Sequence, residues 1–287
     1  MTFKAVLLVD AGNTAVKSAW LSASGATGTA TGDALLQPAS IANAQASPQA
    51  LCALWSEIST PSGVRPQDTA LSWLSVGPAQ AAESIRKAYS NWAGRPAPQP
   101  HVATAEHMLF QSSCRVRNAY EQPAQLGADR WACAIGAAHL LRDAPAGNYL
   151  IVSAGTATTL DLLTVSRQAH ETQIEFSGGW ILPGLAMMQE GLRHGTAGLG
   201  YEPKIDALSL KQPPRNSALA IGQGIALAQT GYVSALVQQL SVREVWLHGG
   251  SAQQWKSCLQ ATGQDSVLSR LVMQPGLSLR GLACLAL

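Results

Sequence analysis

Two segments of the chain share one order of apolar and polar positions: an apolar strand, a short glycine turn with threonines, and a second apolar strand. The first is AVLLVDAGNTAVKSAWL, residues 5–21, and the second is NYLIVSAGTATTLDLL, residues 148–163. Aligning Asp10 with Ser153 brings the flanking apolar positions into register, about half the chain length apart. The pattern predicts two β-hairpins, one opening each half of the chain.

The remaining segments alternate between strand-like and helix-like periods. We expect a helix at residues 48–58 with Ser47 as its N-cap, and another that starts near Ala128 and carries Asp129. Further strands are expected at residues 70–76, 101–103, 172–176 and 244–250, and further helices at 80–92, 187–192 and 217–240. This order predicts two similar α/β domains facing a cleft, at residues 1–117 and 118–287.

Composition excludes several classes of protein. Only 13% of the 287 residues are charged, the net charge is +2, and lysine and arginine are scattered, so no nucleic-acid partner is expected. The five cysteines show no metal-like spacing, which is typical of reduced thiols in a cytoplasmic protein. No window reaches the roughly 20 apolar residues of a membrane span, and no membrane association is expected.

The two glycine turns allow two interpretations. Hairpin turns favour Gly and Asn for conformational reasons alone, which would make both turns purely structural. That interpretation leaves the neighbouring hydroxyls of Thr14 and Thr156 without a reason. Consecutive turn amides form an anion-binding concavity, in which Asp10 suits a phosphate-bridging Mg²⁺ and Lys17 adds positive charge. We therefore expect the two turns to hold one polyphosphate.

Asp129 and Arg130 form an acid–base pair at the start of an otherwise apolar helix. A carboxylate in the first turn is favoured by the helix dipole, which gives a structural explanation. The functional alternative makes Asp129 a general base for a hydroxyl group and Arg130 an anchor for an anionic substrate. Spacing alone leaves both explanations open.

The order of these motifs along the whole chain resembles the type III pantothenate kinases, also called the Bvg accessory factor family, within the actin/hexokinase/Hsp70-like superfamily. Each motif is weak alone, but seven in one order are specific. They are DAGNT (Asp10–Thr14), LGADR (Leu126–Arg130), AGTATTLD (Ala154–Asp161), GGWILPG (Gly178–Gly184), HGTAGL (His194–Leu199), NSALAIGQGI (Asn216–Ile225) and LHGG (Leu247–Gly250).

The resemblance implies transfer of the γ-phosphoryl group of ATP to the primary hydroxyl of pantothenate, the first step of coenzyme A synthesis. It also implies two actin/ribonuclease H-like α/β domains with the active site in the cleft between them, dependence on Mg²⁺ or another divalent cation, and a homodimer. The partners expected are thus ATP, pantothenate and a second copy of the chain.

The resemblance also assigns residues. Asp129 is the expected general base, and Thr156 is expected to contact the nucleotide. The first phosphate loop would consist of Asp10, Ala11, Gly12, Asn13, Thr14, Ala15, Val16 and Lys17, with Asp10 holding Mg²⁺ through the phosphates. The pantothenate pocket would consist of Tyr120, Gly127, Ala128, Asp129, Arg130 and Thr196, the last supplied by the partner subunit.

One position departs from the family pattern. Family members commonly open the second turn with an aspartate that is associated with a bound monovalent cation, and this chain has Ser153 there. A neutral hydroxyl does not offset the charge of a cation as a carboxylate does. The substitution predicts weak or absent activation by K⁺ or NH₄⁺.

Two rival functions remain at this stage. The same superfamily contains sugar and acetate kinases and polyphosphatases, so a kinase of another hydroxylated acid is one alternative. A nucleotide-binding regulatory protein, as the accessory-factor label suggests, is the other. Retention of both Asp10 and Asp129 favours an enzyme, because a pure binder needs neither a metal-site carboxylate nor a base.

Overall fold

The computed structural model describes residues 3–22, 38–58, 63–109, 113–168, 171–200 and 212–286. The chain divides into two compact units. Unit 1 is Met1–Ala144, Arg167–Glu175 and Gly276–Leu287, and unit 2 is Pro145–Ser166 and Phe176–Pro275. These units do not coincide with the two domains predicted from the repeated pattern, because the segment after residue 117 and the end of the chain pack within unit 1. The predicted boundary at 117/118 stays a prediction.

Unit 1 contains a four-stranded sheet in the order β3-β2-β1-β4. Its strands are β1 (Ala5–Ala11), β2 (Ala15–Ser22), β3 (Ala39–Ala42) and β4 (Thr69–Ser75). The predicted first hairpin is confirmed, since β1 and β2 are antiparallel and Asp10 lies opposite Lys17. The strand β4 runs parallel to β1 on its other side.

Both faces of this sheet are covered, as the continuous apolar run of β1 predicts. On one face Leu7 and Val9 pack in a cluster with Trp55 and Tyr89, contributed by α1 (Pro48–Glu57) and α2 (Ala79–Ala93). On the other face Leu8 packs with residues of α3 (Ala128–Leu141) and α8 (Leu277–Leu285). The first helix begins as predicted, with the Ser47 side chain accepting from the Ala50 N–H.

The last helix, α8, approaches α3 at backbone distance. A Cβ on Gly281 would lie 1.8 Å from the carbonyl oxygen of Ala132, and a Cβ on Gly136 would lie 2.4 Å from that of Leu277. Real Cβ contacts are much longer, so both positions require glycine. The two glycines therefore fix how α8 sits on α3.

Unit 1 also holds two short strands, β5 (Glu106–Met108) and β6 (Cys114–Asn118), beside the start of β9 (Thr172–Pro183). The prediction of a strand at residues 101–103 is wrong. The His101 N–H donates to the Trp73 carbonyl, but Val102 is 64% exposed and the following residues do not continue the ladder.

Unit 2 is built on strands in the order β11-β10-β7-β8-β9. They are β7 (Gly147–Ala154), β8 (Ala157–Arg167), β9 (Thr172–Pro183), β10 (Val242–His248) and β11 (Leu271–Met273). The second predicted hairpin is confirmed, since β7 and β8 are antiparallel with Ser153 opposite Thr159. Most of the GGWILPG motif, residues 178–183, forms the extended end of β9.

The helices of unit 2 are α4 (Leu185–Gly195), α5 (Ser217–Gln239), α6 (Ala252–Ala261) and α7 (Asp265–Leu268). Their buried apolar side chains pack with Leu150, Val152, Val245 and Leu247 of the central strands. The α/β class is thus confirmed. Among the helices within the described ranges, none has the length and apolarity needed to cross a bilayer.

Candidate active site

The first glycine turn joins β1 to β2 and is fixed from two sides. The Asn43 side chain donates to the carbonyl oxygens of Gly12 at 3.0 Å and Asn13 at 2.9 Å, and the Asn43 N–H donates to the carbonyl of Thr14. Three successive carbonyls are therefore tied to the end of β3. Their peptide planes are held in one orientation, which is what a preformed anion-binding turn requires.

The other support of the first turn comes from the residues after β4. The N–H groups of Val76 and Gly77 both donate to the Ala11 carbonyl, at 3.0 and 3.1 Å. A Cβ on Gly77 would lie 2.2 Å from the carbonyl oxygen of Gly12. The glycine is required because this backbone passes directly against the turn.

The second glycine turn, in unit 2, has the same kind of support. The strand β10 lies parallel to β7 and is followed by Gly249, whose φ is +106°. A Cβ on Gly249 would lie 2.3 Å from the Ala154 carbonyl oxygen, and the Ser251 N–H donates to that oxygen at 2.9 Å. In each unit, the strand that runs parallel to the first strand of the hairpin is followed by a glycine, and this glycine packs directly against the turn. This common arrangement supports the interpretation of a duplicated fold.

The second turn has two further supports. A Cβ on Gly184 would lie 2.4 Å from the carbonyl oxygens of both Gly155 and Thr156. The buried amide of Gln229 accepts from Thr158 at 2.9 Å and donates to the Pro183 carbonyl at 2.7 Å. The turn is thereby held at its base, while Thr156 at its tip is exposed.

Asp10 is almost fully buried at the end of β1, with 3% exposure. Two donors converge on its Oδ2 atom: the Ser278 hydroxyl at 2.6 Å and the Lys17 ammonium at 3.6 Å. Its other oxygen, Oδ1, is buried and has no hydrogen-bond partner within the described part of the chain. A buried acceptor without a partner costs roughly 1–3 kcal/mol, so this oxygen is suited to receive a ligand.

The donor set at Asp10 fits Mg²⁺. This ion keeps several waters and is bound in proteins by one or two carboxylates together with substrate phosphates. No group of three His, Cys, Asp or Glu side chains that could form a protein-only metal site occurs among the described residues. The unpartnered Oδ1 of Asp10 therefore supports a site completed by water and phosphate.

Asp129 stands in the first turn of α3, where its Oδ1 accepts from the Arg130 N–H at 2.9 Å. Burial raises the pKa of its carboxyl; the bond to the Arg130 N–H lowers that pKa, the nearby Asp10 charge raises it, and the Arg130 charge lowers it. Burial and a like charge together make a better proton acceptor than an exposed aspartate. A Cβ on Gly127 would lie 2.7 Å from the same Oδ1, so this glycine leaves room for the carboxylate.

Arg130 and Tyr120 form a second pair in unit 1. The guanidinium is largely buried, donates to the Tyr120 hydroxyl at 2.8 Å, and lies 5.7 Å from the centre of the Tyr120 ring. The Tyr120 N–H in turn donates to the Asn118 side chain at 3.1 Å. The arginine predicted to bind an anion is therefore held in one orientation by the tyrosine predicted to contact substrate.

The structure thus brings together part of the predicted set. Unit 1 holds Asp10 with Lys17, Asp129 close enough to Asp10 for their charges to interact, and Arg130 with Tyr120. Unit 1 also contains the rest of the first turn, Ala11 to Val16, together with Gly127 and Ala128. The remaining predicted residues lie in unit 2, on separate elements. Thr156 is at the second turn, Ser153 is half-buried on β7, and Thr196 is exposed just after α4, its hydroxyl donating to the Leu192 carbonyl.

Three residues of this region were missed by the sequence analysis: Asn43, Gly77 and Ser278. They are 31, 65 and 268 residues away in sequence from the groups they contact. Only Gly77 carries a local signal, because a glycine directly after an apolar strand often marks a close approach of backbones.

Comparisons with known proteins show the family of this chain. The family model described as type III pantothenate kinase matches residues 6–239. A type III pantothenate kinase of Cupriavidus taiwanensis is 35% identical over 279 residues, covering 94% of this chain and 91% of the relative. One of Aromatoleum aromaticum is 34% identical over 257 residues, covering 88% and 89%. One of Azoarcus sp. is 42% identical over 174 residues, 60% of this chain and 57% of the relative.

Solved structures are more distant. A ROK family glucokinase from Streptomyces griseus in complex with glucose and AMPPNP aligns with a TM-score of 0.47 at 9% identity, covering 98% of both chains. A ROK hexokinase from Thermus thermophilus aligns with a TM-score of 0.45 at 14% identity, covering 98% of this chain and 97% of that one.

Proposed function

Because the chain belongs to the type III pantothenate kinase family, we propose that it transfers the γ-phosphoryl group of ATP to the primary hydroxyl of pantothenate. The products are ADP, 4'-phosphopantothenate and the proton released from the hydroxyl. The observation that carries the proposal within this structure is a half-buried Asp129 in the first turn of α3, close enough to Asp10 for their charges to interact. It supports the assignment of the base and the metal-binding carboxylate to one region of unit 1.

The proposed chemistry requires mainly positioning and charge neutralisation. Asp129 accepts the proton of the pantothenate hydroxyl as the new oxygen–phosphorus bond forms. Arg130, oriented by Tyr120, binds the pantothenate carboxylate, and Gly127 and Ala128 leave the space beside it. The base and the anchor are neighbours on α3, so one helix terminus sets the distance between the two ends of the substrate.

The nucleotide is assigned to the two turns. The first turn, residues 10–17, contacts the phosphates with its amides and with Lys17, while Asp10 would hold Mg²⁺ through Oδ1. The metal ion supplies charge neutralisation on the phosphate oxygens when bound. Thr156 contacts the nucleotide from the second turn. In the proposed homodimer, Thr196 of a partner subunit completes the pantothenate pocket. Thr196 is exposed just after α4, which leaves it accessible for this role.

The test is ADP release by the purified protein with Mg²⁺ and ATP, with and without pantothenate. We expect release that depends on pantothenate, and a product whose mass exceeds that of pantothenate by one phosphoryl group. Glucose and acetate serve as matched alternative acceptors. Stimulation by either of these instead of pantothenate would assign another acceptor, and no stimulation by any of them would favour the regulatory role.

A second expectation concerns the monovalent cation. Ser153 is a neutral side chain that lies opposite Thr159 and beside His248 in the sheet register. The position that carries an aspartate in the family therefore has no negative charge here. We expect weak or absent activation, so that the rates in NaCl, KCl and NH₄Cl differ little at constant ionic strength. Rates are measured at saturating ATP and pantothenate, with choline chloride as the control for ionic strength. A marked increase in K⁺ over Na⁺ contradicts this expectation.

A further inference from the structure

The carboxylate of Asp10 is oriented by a residue from the other end of the chain. The Ser278 hydroxyl donates to Asp10 Oδ2 at 2.6 Å, and the two residues are 5% and 3% exposed. A short bond from a hydroxyl to a carboxylate is among the stronger neutral–charged hydrogen bonds. Because both groups are buried, water does not replace the Ser278 hydroxyl without a rearrangement of the packing.

The bond to Ser278 occupies one oxygen of the Asp10 carboxylate and leaves the other for a ligand. Lys17 also approaches Oδ2, at 3.6 Å, so both donors lie on the same atom. Oδ1 is buried and has no partner within the described residues. Rotation of the carboxylate by 180° about χ2 exchanges two equivalent oxygens, but smaller rotations would break the Ser278 bond. This bond therefore fixes the plane of the carboxylate, with one oxygen engaged by both donors and the other left without a partner among the described residues.

The position of Ser278 is itself fixed by glycine packing. Two residues near Ser278 on α8 contact the backbone of α3 directly. A Cβ on Gly136 of α3 would lie 2.4 Å from the carbonyl oxygen of Leu277, and Gly281 lies against Ala132. The apolar side chains of Leu279 and Leu282 pack in the same cluster as Leu8 of β1. The helix α8 is thus attached to α3 and to the sheet by contacts that do not involve the Ser278 hydroxyl.

From these contacts we propose that Ser278 is a positioning residue of the kinase site: its hydroxyl holds Asp10 so that Oδ1 is presented to the divalent cation that accompanies ATP. The inference rests on the proposed function, which supplies the divalent cation bound with ATP. It adds a role for the helix α8. The same helix α8 packs against α3, which carries Asp129. The packing of α8 on α3 therefore positions both Ser278, which orients Asp10, and Asp129, the proposed base.

The test compares Ser278→Ala with Ser72→Ala. Ser72 is a matched control because it is also a buried serine bonded to α8, through the Leu282 carbonyl at 3.0 Å, and it does not bond Asp10. Mn²⁺ binding is measured by electron paramagnetic resonance in the presence of ADP, together with the Mg²⁺ dependence of the rate and thermal unfolding. Because the Ser278 bond exists with and without the metal ion, its loss acts on binding through the orientation of the carboxylate, and we expect Mn²⁺ binding to weaken about tenfold.

For Ser278→Ala we expect that weaker Mn²⁺ binding, a similar rise in the Mg²⁺ concentration for half-maximal rate, and an unchanged KM for pantothenate. For Ser72→Ala we expect reduced stability with unchanged metal dependence. Wild-type Mn²⁺ affinity in Ser278→Ala, or an equal shift in both variants, overturns the proposal. Should Ser278→Ala fail to fold, Ser278→Cys retains a weak donor and is expected to show a smaller shift in the same direction. Mn²⁺ binding is measured without pantothenate, so it decides the role of Ser278 even if pantothenate is not the acceptor.

Discussion

Asp129→Asn is expected to lower kcat for pantothenate phosphorylation by about 10²–10⁴, the usual contribution of a positioned general base. Asparagine has nearly the same shape, and its carbonyl oxygen can still accept from the Arg130 N–H. What is lost is the ability to take a proton. Because the substrate anchor is unaltered, KM for pantothenate should change much less than kcat.

The stability of this variant distinguishes a catalytic loss from a folding loss. Burial raises the pKa of Asp129 in the folded protein. The folded state therefore binds a proton more readily than the unfolded state, so stability falls as pH rises from the unfolded pKa through the folded one, and the loss stays constant above it. At neutral pH asparagine removes that penalty. We expect Asp129→Asn to melt at or above the wild-type temperature.

A matched control lies at the other end of the same helix. Asp143 follows α3, is exposed, and pairs with Arg142 at 3.3 Å on the surface. Asp143→Asn removes the same charge just beyond the C-terminal end of that helix without touching the site, and near wild-type turnover is expected, since surface ion pairs contribute little. If Asp129→Asn keeps wild-type kcat, or if both variants lose activity equally, Asp129 is not the base.

Much of the architecture could be predicted because its signals are local. The two hairpins follow from apolar runs on each side of a glycine turn, and their register places Asp10 opposite Lys17. The start of α1 follows from Ser47. The helix α6 was missed, although Trp255, Cys258 and Leu259 recur at helical spacing, because the polar residues between them obscure the period.

The supports of the site could not be predicted, and the reason is physical. Asn43, Gly77 and Ser278 act through contacts with backbone or side chains that are distant in sequence. A glycine needed for conformation and one needed for close approach look alike in a sequence. Which serine reaches Asp10 depends on how α8 sits on α3, and that arrangement exists only once both helices are packed.

The division into compact units could not be predicted for a similar reason. The repeated hairpin pattern places the boundary between the two halves, whereas compactness is determined by which elements bury each other's surfaces. The helix α3 follows the predicted boundary and α8 ends the chain, yet both pack on the first sheet through the cluster around Leu8. A repeat in sequence therefore describes the topology of the two hairpins better than it describes the compact units.

Gly281→Ala is expected to destabilise unit 1 by about 3 kcal/mol, the upper part of the range for overpacking a close-packed interior. The new Cβ would lie 1.8 Å from the Ala132 carbonyl oxygen and 2.5 Å from its carbonyl carbon. Backbone atoms of a helix do not move aside as a flexible side chain does, so α8 must shift away from α3. Urea unfolding followed by tryptophan fluorescence measures the change, with Trp131 on α3 as a local reporter.

The matched control is Gly231→Ala, within the helix α5, where nothing lies within 4 Å of the new Cβ. Alanine in an open helical position stabilises by roughly 0.5–1 kcal/mol relative to glycine, so the same substitution should act in opposite directions at the two sites. Gly281→Ala should also weaken Mn²⁺ binding in the presence of ADP, since a shift of α8 withdraws Ser278 from Asp10. Equal stabilisation of both variants would mean that α8 does not approach α3 at backbone distance, and the proposed role of Ser278 would lose its structural basis.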